Sequence, residues 1–270
     1  MSIEKPRSRL LGKYVAGFYA FHEVEEYPRH YKIYPNPNTA VALYRNASVA
    51  CSDCKLGFAA GNDTGVILTD RYRKSCHVTY ENHVDEVVIM FKGAGINLFF
   101  PDYYSGFEES GVFDLYRDPE WRDLAASFKD VWQLKSFARD AEDFLLERVQ
   151  YFDELDLLEA YLNRLSRFED FPTITEVSEG LGHPTTLARM FNRFMGCTPR
   201  EYRKILKYRR AIHLRLREGD SRNLGEIGSV SGFYDQAHFI RNFKSLTDET
   251  PREYFKSVTA VEDHIFLKPS

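Results

Sequence analysis

The side chains best suited to metal or redox chemistry lie in the first third of the sequence. Cys51-x-x-Cys54 is followed by Cys76, His77 and His83, and sulfur and imidazole are ligands that zinc prefers. The second half of a zinc-binding pattern is absent, and no metal triad or acid/base pair stands out. We therefore predict no metal, no cofactor, no reactive-thiol pair and no catalytic residues.

A second candidate chemistry is electrostatic. The 270-residue chain has a net charge of −4, which by itself argues against a nucleic-acid partner. The segment 181–244, however, holds 13 Lys and Arg against 5 Asp and Glu, a net charge of +8, and the remainder carries 23 against 35, or −12. A basic segment in an acidic protein is typical of phosphate contact. Basic residues also cover ordinary solvated helices, so charge alone leaves both interpretations open.

An internal repeat coincides with this charge. Thr-Pro-Arg-Glu-Tyr occurs at 198–202 and again at 250–254, an offset of 52 residues. The same offset relates three residues to three others: Leu187, Arg189 and Phe191 to Phe239, Arg241 and Phe243. Two copies are too few for a solenoid, so the sequence predicts one small unit used twice.

Each copy has the pattern of two helices joined by a glycine turn. Thr-Pro-Arg-Glu is a helix start, with Thr as the N-cap, Pro at the first position and Glu three residues after the cap. Apolar residues keep helical spacing after each turn. A short helix precedes them, at 173–181 and 224–230, and Gly182 and Gly232 supply the left-handed residue that ends it. Helix, turn and helix, twice over, is the helix-turn-helix pattern.

Residues 200–217 between the copies predict a long helix that is basic on one side and apolar on the other. Its roughly 27 Å length can hold two recognition helices about one DNA turn, some 34 Å, apart on one face of a duplex. The alternative is a helical bundle with no nucleic-acid role. The repeat, the charge and the spacing together favour DNA binding.

The segment 155–256 resembles the AraC/XylS family of bacterial transcription regulators. The matching positions are Gly182, Leu187-x-Arg189-x-Phe191, Gly196-x-Thr198-Pro199-x-x-Tyr202, Lys207-x-x-x-Ala211 and Gly232-Phe233-x-Asp235-Gln236-x-His238-Phe239-x-Arg241-x-Phe243-Lys244. The last string is highly specific to that family. The resemblance implies sequence-specific binding of double-stranded DNA as an activator or repressor, with RNA polymerase as a partner in many members.

The resemblance also implies which side chains face DNA. Base contacts would come from the exposed faces of two recognition helices: Thr185, Thr186, Ala188, Arg189 and Asn192 in the first, and Gln236, Ala237, Ile240 and Arg241 in the second. Arg can pair with guanine, Gln with adenine, and small apolar groups can touch the thymine methyl. We expect phosphate contacts from Arg209, Arg210 and Lys244. His238 and Phe239 either pack in the core, which is favoured, or contact DNA.

The sequence departs from the family pattern at both units. His183 stands where the first recognition helix usually has a Ser or Thr N-cap, and His is a poorer cap. Gly228 replaces the usual Ala and lies near Gly225. Each glycine inside a helix costs about 1 kcal/mol relative to Ala, so we expect the second unit to be loosely folded until it meets DNA.

Residues 10–117 have a different pattern. Short apolar or alternating runs between Tyr14 and Phe91 are separated by turn residues, which indicates several strands in a β-barrel or sandwich. The family's sensing domains are commonly cupin-like barrels, and 91–100 is similar to an end-of-barrel segment in some of them. A nearby aromatic cluster either is core or lines an effector pocket. The candidate effector-binding residues are Phe99, Tyr103 and Tyr104.

Asp118-Pro119 opens a helical stretch that keeps its apolar spacing to about Arg148. Its apolar face either packs on its own barrel or forms a dimer seam, and we expect a homodimer. The predicted fold class is α+β with two domains: an N-terminal antiparallel, cupin-like β-barrel with flanking helices, and a C-terminal all-α domain of two helix-turn-helix units joined by a long helix. The predicted boundaries are 1–150 and 155–258, with a tail at 259–270.

No stretch approaches the eighteen apolar residues of a membrane span, and no signal-peptide core follows the polar N-terminus. Four cysteines without a secretory signal favour a reducing compartment. We therefore predict a cytoplasmic, nucleoid-associated regulator that is modulated at its N-terminal domain by an effector, with a small molecule as one candidate, or by a partner. We also predict that it has no membrane partner and is not an enzyme. The alternatives are a cupin enzyme with an appended helical module and a regulator that acts mainly through protein contacts.

Overall fold

The computed structural model of the chain describes residues 2–21, 27–52, 55–69, 73–100, 112–167, 172–256, 259–262 and 265–269. The chain divides into two compact units. The first contains Met1–His30, Asn38–Arg71 and His77–Phe152, and the second contains Tyr31–Pro37, Tyr72–Cys76 and Asp153–Ser270. The predicted α+β, two-domain fold class is confirmed. The predicted boundaries stay predictions, and two short segments of the N-terminal half belong to the second unit.

Ten strands and ten α-helices are described. The strands are β1 (Ser2–Glu4), β2 (Val15–Phe21), β3 (Arg29–Ile33), β4 (Thr39–Ser52), β5 (Lys55–Thr69), β6 (Cys76–Tyr80), β7 (Asp85–Phe91), β8 (Val112–Asp114), β9 (Thr259–Glu262) and β10 (Ile265–Pro269). The helices are α1 (Arg9–Tyr14), α2 (Pro119–Ser127), α3 (Leu134–Glu147), α4 (Leu155–Leu165), α5 (Ile174–Ser178), α6 (Pro184–Met195), α7 (Pro199–Glu218), α8 (Leu224–Val230), α9 (Gln236–Thr247) and α10 (Pro251–Tyr254).

The first unit is built on a half-barrel sheet with the strand order β1-β2-β7-β4-β5-β6, and β8 also pairs with β5. Its central strand, β7, is buried at six consecutive positions, because β2 and β4 flank it and apolar side chains cover both faces. The described pairs of this sheet are antiparallel except β5 with β6. In that pair, β6 runs beside the first residues of β5 in the same direction, a departure from the expected antiparallel pattern.

The helices after the sheet pack within the first unit. Asp118 caps α2 by accepting a hydrogen bond from the Glu120 N–H at 2.9 Å. The Trp121 ring stacks on Phe100 and meets Phe144 edge-on, each at a centroid distance of 4.8 Å. The apolar residues that could have formed a dimer seam are buried in a single chain: Trp121, Leu124, Phe128, Val131, Phe137, Ala141 and Leu145. Packing within the chain's own fold accounts for the burial of these residues, and the dimer seam stays a prediction.

The second unit is helical, with three short strands that the sequence did not predict there. Helices α4 to α6 form its first half, α8 to α10 form its second half, and α7 packs against members of both. Strand β10, from the predicted tail, pairs with β9 and with β3. Among the described residues, no helix has the length and apolar character needed to cross a membrane.

A buried carboxylic acid lies on β7 of the first unit. Glu86 is 5% exposed, and its Oε2 accepts a hydrogen bond from the Tyr80 hydroxyl at 2.6 Å. Burial raises the pKa of Glu86 to about 7, although the Tyr80 hydrogen bond opposes this shift. Folding therefore favours the protonated acid, because a carboxylate at this position would lose its hydration.

This burial predicts a specific pH dependence. Between pH 4.5 and about 7 the folded chain keeps a proton on Glu86 that the unfolded chain has lost, so the free energy of unfolding falls as pH rises through that window. Glu86→Gln keeps the shape without the titration and should be more stable than the wild type at and above pH 7. Urea unfolding across pH 4.5–8 measures the difference, with the exposed Glu81→Gln as control. Parallel profiles for wild type and Glu86→Gln would contradict the assignment.

Candidate nucleic-acid interface

The first helix-turn-helix unit consists of α5 and α6. Thr173 and Glu176 form a capping box that starts α5. The helix ends sooner than predicted, at Ser178, because two glycines then take positive φ angles: +69° at Gly180 and +151° at Gly182. Residues with a Cβ rarely adopt these conformations. Gly182 was predicted as the turn residue, whereas Gly180 was not.

The second helix-turn-helix unit consists of α8 and α9. Helix α8 has its predicted bounds, Leu224–Val230, and starts at a capping box of Asn223 and Glu226. The turn contains Gly232 with φ of +80°, as predicted. Helix α9 begins after Asp235, whose carboxylate accepts a hydrogen bond from the His238 N–H at 2.6 Å.

The sequence repeat is also a repeat of contacts. Phe191 in α6 meets Tyr202 edge-on at a centroid distance of 5.6 Å, and the equivalent Phe243 in α9 meets Tyr254 edge-on at 5.1 Å. All four rings are buried. The helix that carries each tyrosine begins at the predicted Thr-x-x-Glu capping box. Each recognition helix is therefore held on its inner face by the same pair of aromatic residues.

The opposite faces of α6 and α9 carry most of the predicted base-contacting residues. Exposed side chains in this set are Thr185, Arg189, Asn192, Gln236, Ala237 and Arg241, and partly exposed ones are Thr186, Ala188 and Ile240. Arg189 and Arg241 occupy equivalent positions of the repeat. The structure thus gathers the two predicted sets on the solvent-facing sides of two matched helices.

The phosphate-contact residues are placed less uniformly. Lys244 is exposed and Arg210 is partly exposed, but Arg209 is only 5% exposed. Burial lowers the pKa of Arg209 to about 10, and the neighbouring hydroxyls of Tyr208 and Tyr254 act in the opposite direction. A side chain buried to this extent does not face solvent, so the burial of Arg209 argues against the phosphate contact that the sequence predicted for it.

Two lysines of α7 form hydrogen bonds within the second helix-turn-helix unit. The Lys207 Nζ donates a hydrogen bond to the Gly232 carbonyl in the turn and lies 5.6 Å from the centre of the Phe233 ring. Burial, helped by the charge of Arg203, lowers the pKa of Lys207 to about 8. The Lys204 Nζ donates to the Ser245 Oγ in α9 at 2.5 Å. These charges stabilise the position of α9, a role that charge counting could not reveal.

The turn before α9 contains one residue that sequence reasoning missed. Tyr234 is 92% exposed, and its backbone N–H donates to His238 Nδ1 at 3.3 Å. The His238 ring is partly exposed and approaches Phe233 edge-on at 5.7 Å, whereas Phe239 is fully buried. Core packing is thus the correct interpretation for Phe239. No sequence signal separates Tyr234 from an ordinary turn residue.

His183 caps the first recognition helix despite its poor ranking as an N-cap. Its Nδ1 accepts a hydrogen bond from the Thr185 N–H at 3.3 Å, and the Thr185 hydroxyl lies 3.0 Å from the same nitrogen. The imidazole therefore satisfies one of the unpaired N–H groups at the start of α6. It also fixes the side chain of Thr185, one of the predicted base-contacting residues.

Gly228 has a packing role that its helix propensity conceals. A Cβ at this position would lie 3.0 Å from both the Cβ and the Cγ of Phe239. Phe239 is fully buried against Phe233 and Phe243. The missing side chain is what lets α8 approach the recognition helix α9 this closely.

Of the three predicted effector residues, Phe99 lies in the described part of the chain. Phe99 is buried, and its ring lies 5.4 Å from that of Phe91, a contact typical of core packing. Tyr103, Tyr104 and Cys54 lie outside the described residues. In the described part of the chain, Cys51, Cys76 and Cys197 form no disulfide with one another, and no group of three or more His, Cys, Asp or Glu is arranged to hold a metal ion.

These features define a two-domain protein with a duplicated helix-turn-helix unit. Residues 181–257 match a family described as a helix-turn-helix domain. The segment 181–257 of this chain is therefore a helix-turn-helix domain of the kind that binds DNA in transcription regulators. The matching family consists of regulators and not of enzymes.

Several solved structures are similar to this chain. ToxT from Vibrio cholerae O395 is 16% identical over 85% of this chain and 96% of its own, with a TM-score of 0.45. An AraC-type transcriptional regulator from Chromobacterium violaceum is 22% identical over 37% of this chain and 89% of its own, with a TM-score of 0.34. Unsaturated fatty acid bound wild-type ToxT from Vibrio cholerae strain SCE256 is 15% identical over 87% and 96%, with a TM-score of 0.42. A comparison with curated protein sequences gave no match.

The His183 cap predicts a measurable contribution to stability. His183→Ala removes the acceptor for the Thr185 N–H and should lower the free energy of unfolding of the helical unit by about 1 kcal/mol. His183→Asn supplies another acceptor and should stay near the wild type. Urea unfolding followed by far-ultraviolet circular dichroism tests the pair. Equal stability of the Ala and Asn variants would show that the imidazole is not a cap.

The Gly228 contact predicts an outcome opposite to helix propensity. Gly228→Ala gains about 1 kcal/mol of propensity, but overpacking a buried ring typically costs about 1–3 kcal/mol. We therefore expect a net loss of stability in urea unfolding. Ser229→Ala, at an exposed position of the same helix, gains propensity without the contact and should be slightly stabilising. A stabilised Gly228→Ala variant would contradict the packing role.

Proposed function

We propose that this chain is a sequence-specific transcription regulator that places α6 and α9 in two successive major grooves of duplex DNA. The observation that carries this proposal is the matched pair of exposed arginines, Arg189 and Arg241. They occupy equivalent positions on two helices whose inner faces are fixed by equivalent aromatic contacts. Arginine pairs with guanine O6 and N7 in the major groove, so two copies favour two half-elements.

The length of α7 supports the spacing. Its 20 residues span about 30 Å at the rise of an α-helix, close to the roughly 34 Å that separates major grooves one turn apart. The two units then read one asymmetric site, because their base-facing residues differ. Gln236 offers an amide that suits adenine, whereas the first helix offers Thr185 and Asn192.

The charge distribution supports phosphate contact around this site. The segment 181–244 carries a net charge of +8 in a chain of net charge −4. With Arg209 buried and Lys207 bonded inside the domain, Arg210 and Lys244 remain the proposed phosphate contacts. Each phosphate neutralised makes the slope of log affinity against log salt more negative by about 0.9.

The N-terminal unit is the proposed sensing and dimerising part of the regulator. Support comes from its half-barrel sheet and the helices that follow it, the kind of architecture that the family resemblance implies for a sensing domain. A small-molecule effector, a homodimer, RNA polymerase as a partner, activation of transcription and a cytoplasmic location all stay proposals. Sedimentation of the purified chain with and without DNA tests the dimer.

DNA selection from a random pool with the purified full-length chain tests the proposed function. We expect a motif of two half-elements about one helical turn apart. On that site, Arg189→Ala and Arg241→Ala should each remove about 1–3 kcal/mol of base discrimination, at the first and second half-element respectively. Arg122→Ala, at an exposed position of α2, is the matched control and should bind like the wild type.

Three results would count against the proposal. Enrichment of no motif would leave the domain without a DNA target of its own. Wild-type binding by both recognition-helix variants, with unchanged promoter output, would favour a regulator that acts through protein contacts. Loss of binding at both half-elements from either single substitution would show that the two helices do not read separate half-elements.

A further inference from the structure

The aromatic core around the second recognition helix includes a residue from far outside the DNA-binding domain. Tyr34 is 1% exposed and belongs to the same buried cluster as Phe239, Phe243 and Tyr254. Its ring meets that of Tyr254 edge-on at 4.6 Å. The contact is part of the second compact unit, although the two tyrosines are 220 residues apart in the sequence.

A buried lysine next to Tyr34 holds the carboxyl end of α9. The Lys32 Nζ donates to the Thr247 carbonyl at 2.5 Å and to the Glu249 carboxylate at 3.1 Å. The Tyr34 hydroxyl donates to the same Glu249 oxygen at 3.1 Å. The side chains of Lys32 and Glu249 are 9% and 16% exposed. A cation at a helix C-terminus complements the helix dipole and its unpaired carbonyls.

A second segment of the N-terminal half forms a hydrogen bond with the Leu246 carbonyl, next to that of Thr247. The Ser75 N–H donates to the Leu246 carbonyl at 2.9 Å, and its hydroxyl donates to the Asp248 carboxylate at 3.0 Å. Asp248 has a left-handed φ of +61° where α9 ends. The final carbonyls of α9, those of Leu246 and Thr247, are thus both bonded to groups from residues 32–75.

We propose that Lys32, Tyr34 and Ser75 are positioning residues for the second recognition helix, so that reading of the second half-element depends on the N-terminal half of the chain. These residues do not reach the solvent-facing side of α9. They act through the aromatic core on its inner face and through its last two carbonyls. This inference rests on the proposed function only where it concerns DNA. A segment limited to 155–258 would lack all three residues.

The DNA test uses the full-length chain and two targets, the selected site and the same site with its second half-element scrambled. Lys32→Met and Tyr34→Ala should weaken binding to the intact site by about tenfold, within the range of coupling between sites, and leave binding to the scrambled site unchanged. Tyr34→Phe keeps the ring and should lose less than Tyr34→Ala. Lys135→Met, exposed on α3, is the control for loss of a lysine.

A double substitution separates the ion pair from general damage. Removing one partner of a buried pair leaves an uncompensated charge, whereas removing both relieves it. Lys32→Met with Glu249→Gln should therefore bind the intact site more tightly than Lys32→Met alone. An additive loss in the double variant would overturn the role of this pair.

Amide hydrogen exchange without DNA gives an independent readout of the same proposal. Lys32→Met and Tyr34→Ala should speed exchange in α9 while α6 stays as in the wild type. Equal acceleration in both helices, or equal weakening on both DNA targets, would show general destabilisation and overturn the proposal. If Arg189→Ala and Arg241→Ala both bind DNA like the wild type, the proposed function fails. The exchange data alone then test the positioning role.

Discussion

Isolated helices of about 12 residues are marginal in water, and α6 and α9 are both 12 residues long. Each must also leave one face open if it is to enter a groove. Its order therefore depends on the packing of the other face and on its caps. The Phe191–Tyr202 and Phe243–Tyr254 contacts meet that constraint in the same way in both units, which explains why the repeat preserves rings as well as charges.

The need to hold α9 in place also explains why the basic residues of α7 differ in their contacts. Lys204 and Lys207 bond to α9 and to the turn before it, and Arg209 lies in the interior beside Tyr208. Some basic residues of α7 therefore hold the second helix-turn-helix unit in place, whereas others face solvent. The net charge of the segment indicates a nucleic-acid interface, whereas the helical phase decides which side chains can belong to it.

The local features of the DNA-binding domain could be predicted because they depend on neighbours in sequence. The Thr-x-x-Glu caps, Gly232 and the bounds of α8 follow from hydrogen bonds within a few residues. The interior position of Arg209 and the close approach at Gly228 could not be predicted, since both depend on what another helix presents. The prediction that the second helix-turn-helix unit is loosely folded used only the low helix propensity of glycine. Gly228 shows that a residue of low helix propensity can also allow closer packing between helices.

The longest-range contacts were the least predictable and have the widest consequence. Nothing in the spacing of Lys32, Tyr34 or Ser75 relates them to α9, because their contacts join segments about 170 to 220 residues apart in the sequence. Coupling of this kind is reciprocal. If these residues favour the ordered α9, then DNA bound to α9 must favour their docked positions by the same free energy. Typical coupling energies of about 1–3 kcal/mol correspond to about 5- to 150-fold in affinity. A ligand that prefers the docked segments 31–37 and 73–76 would therefore strengthen DNA binding without touching either recognition helix.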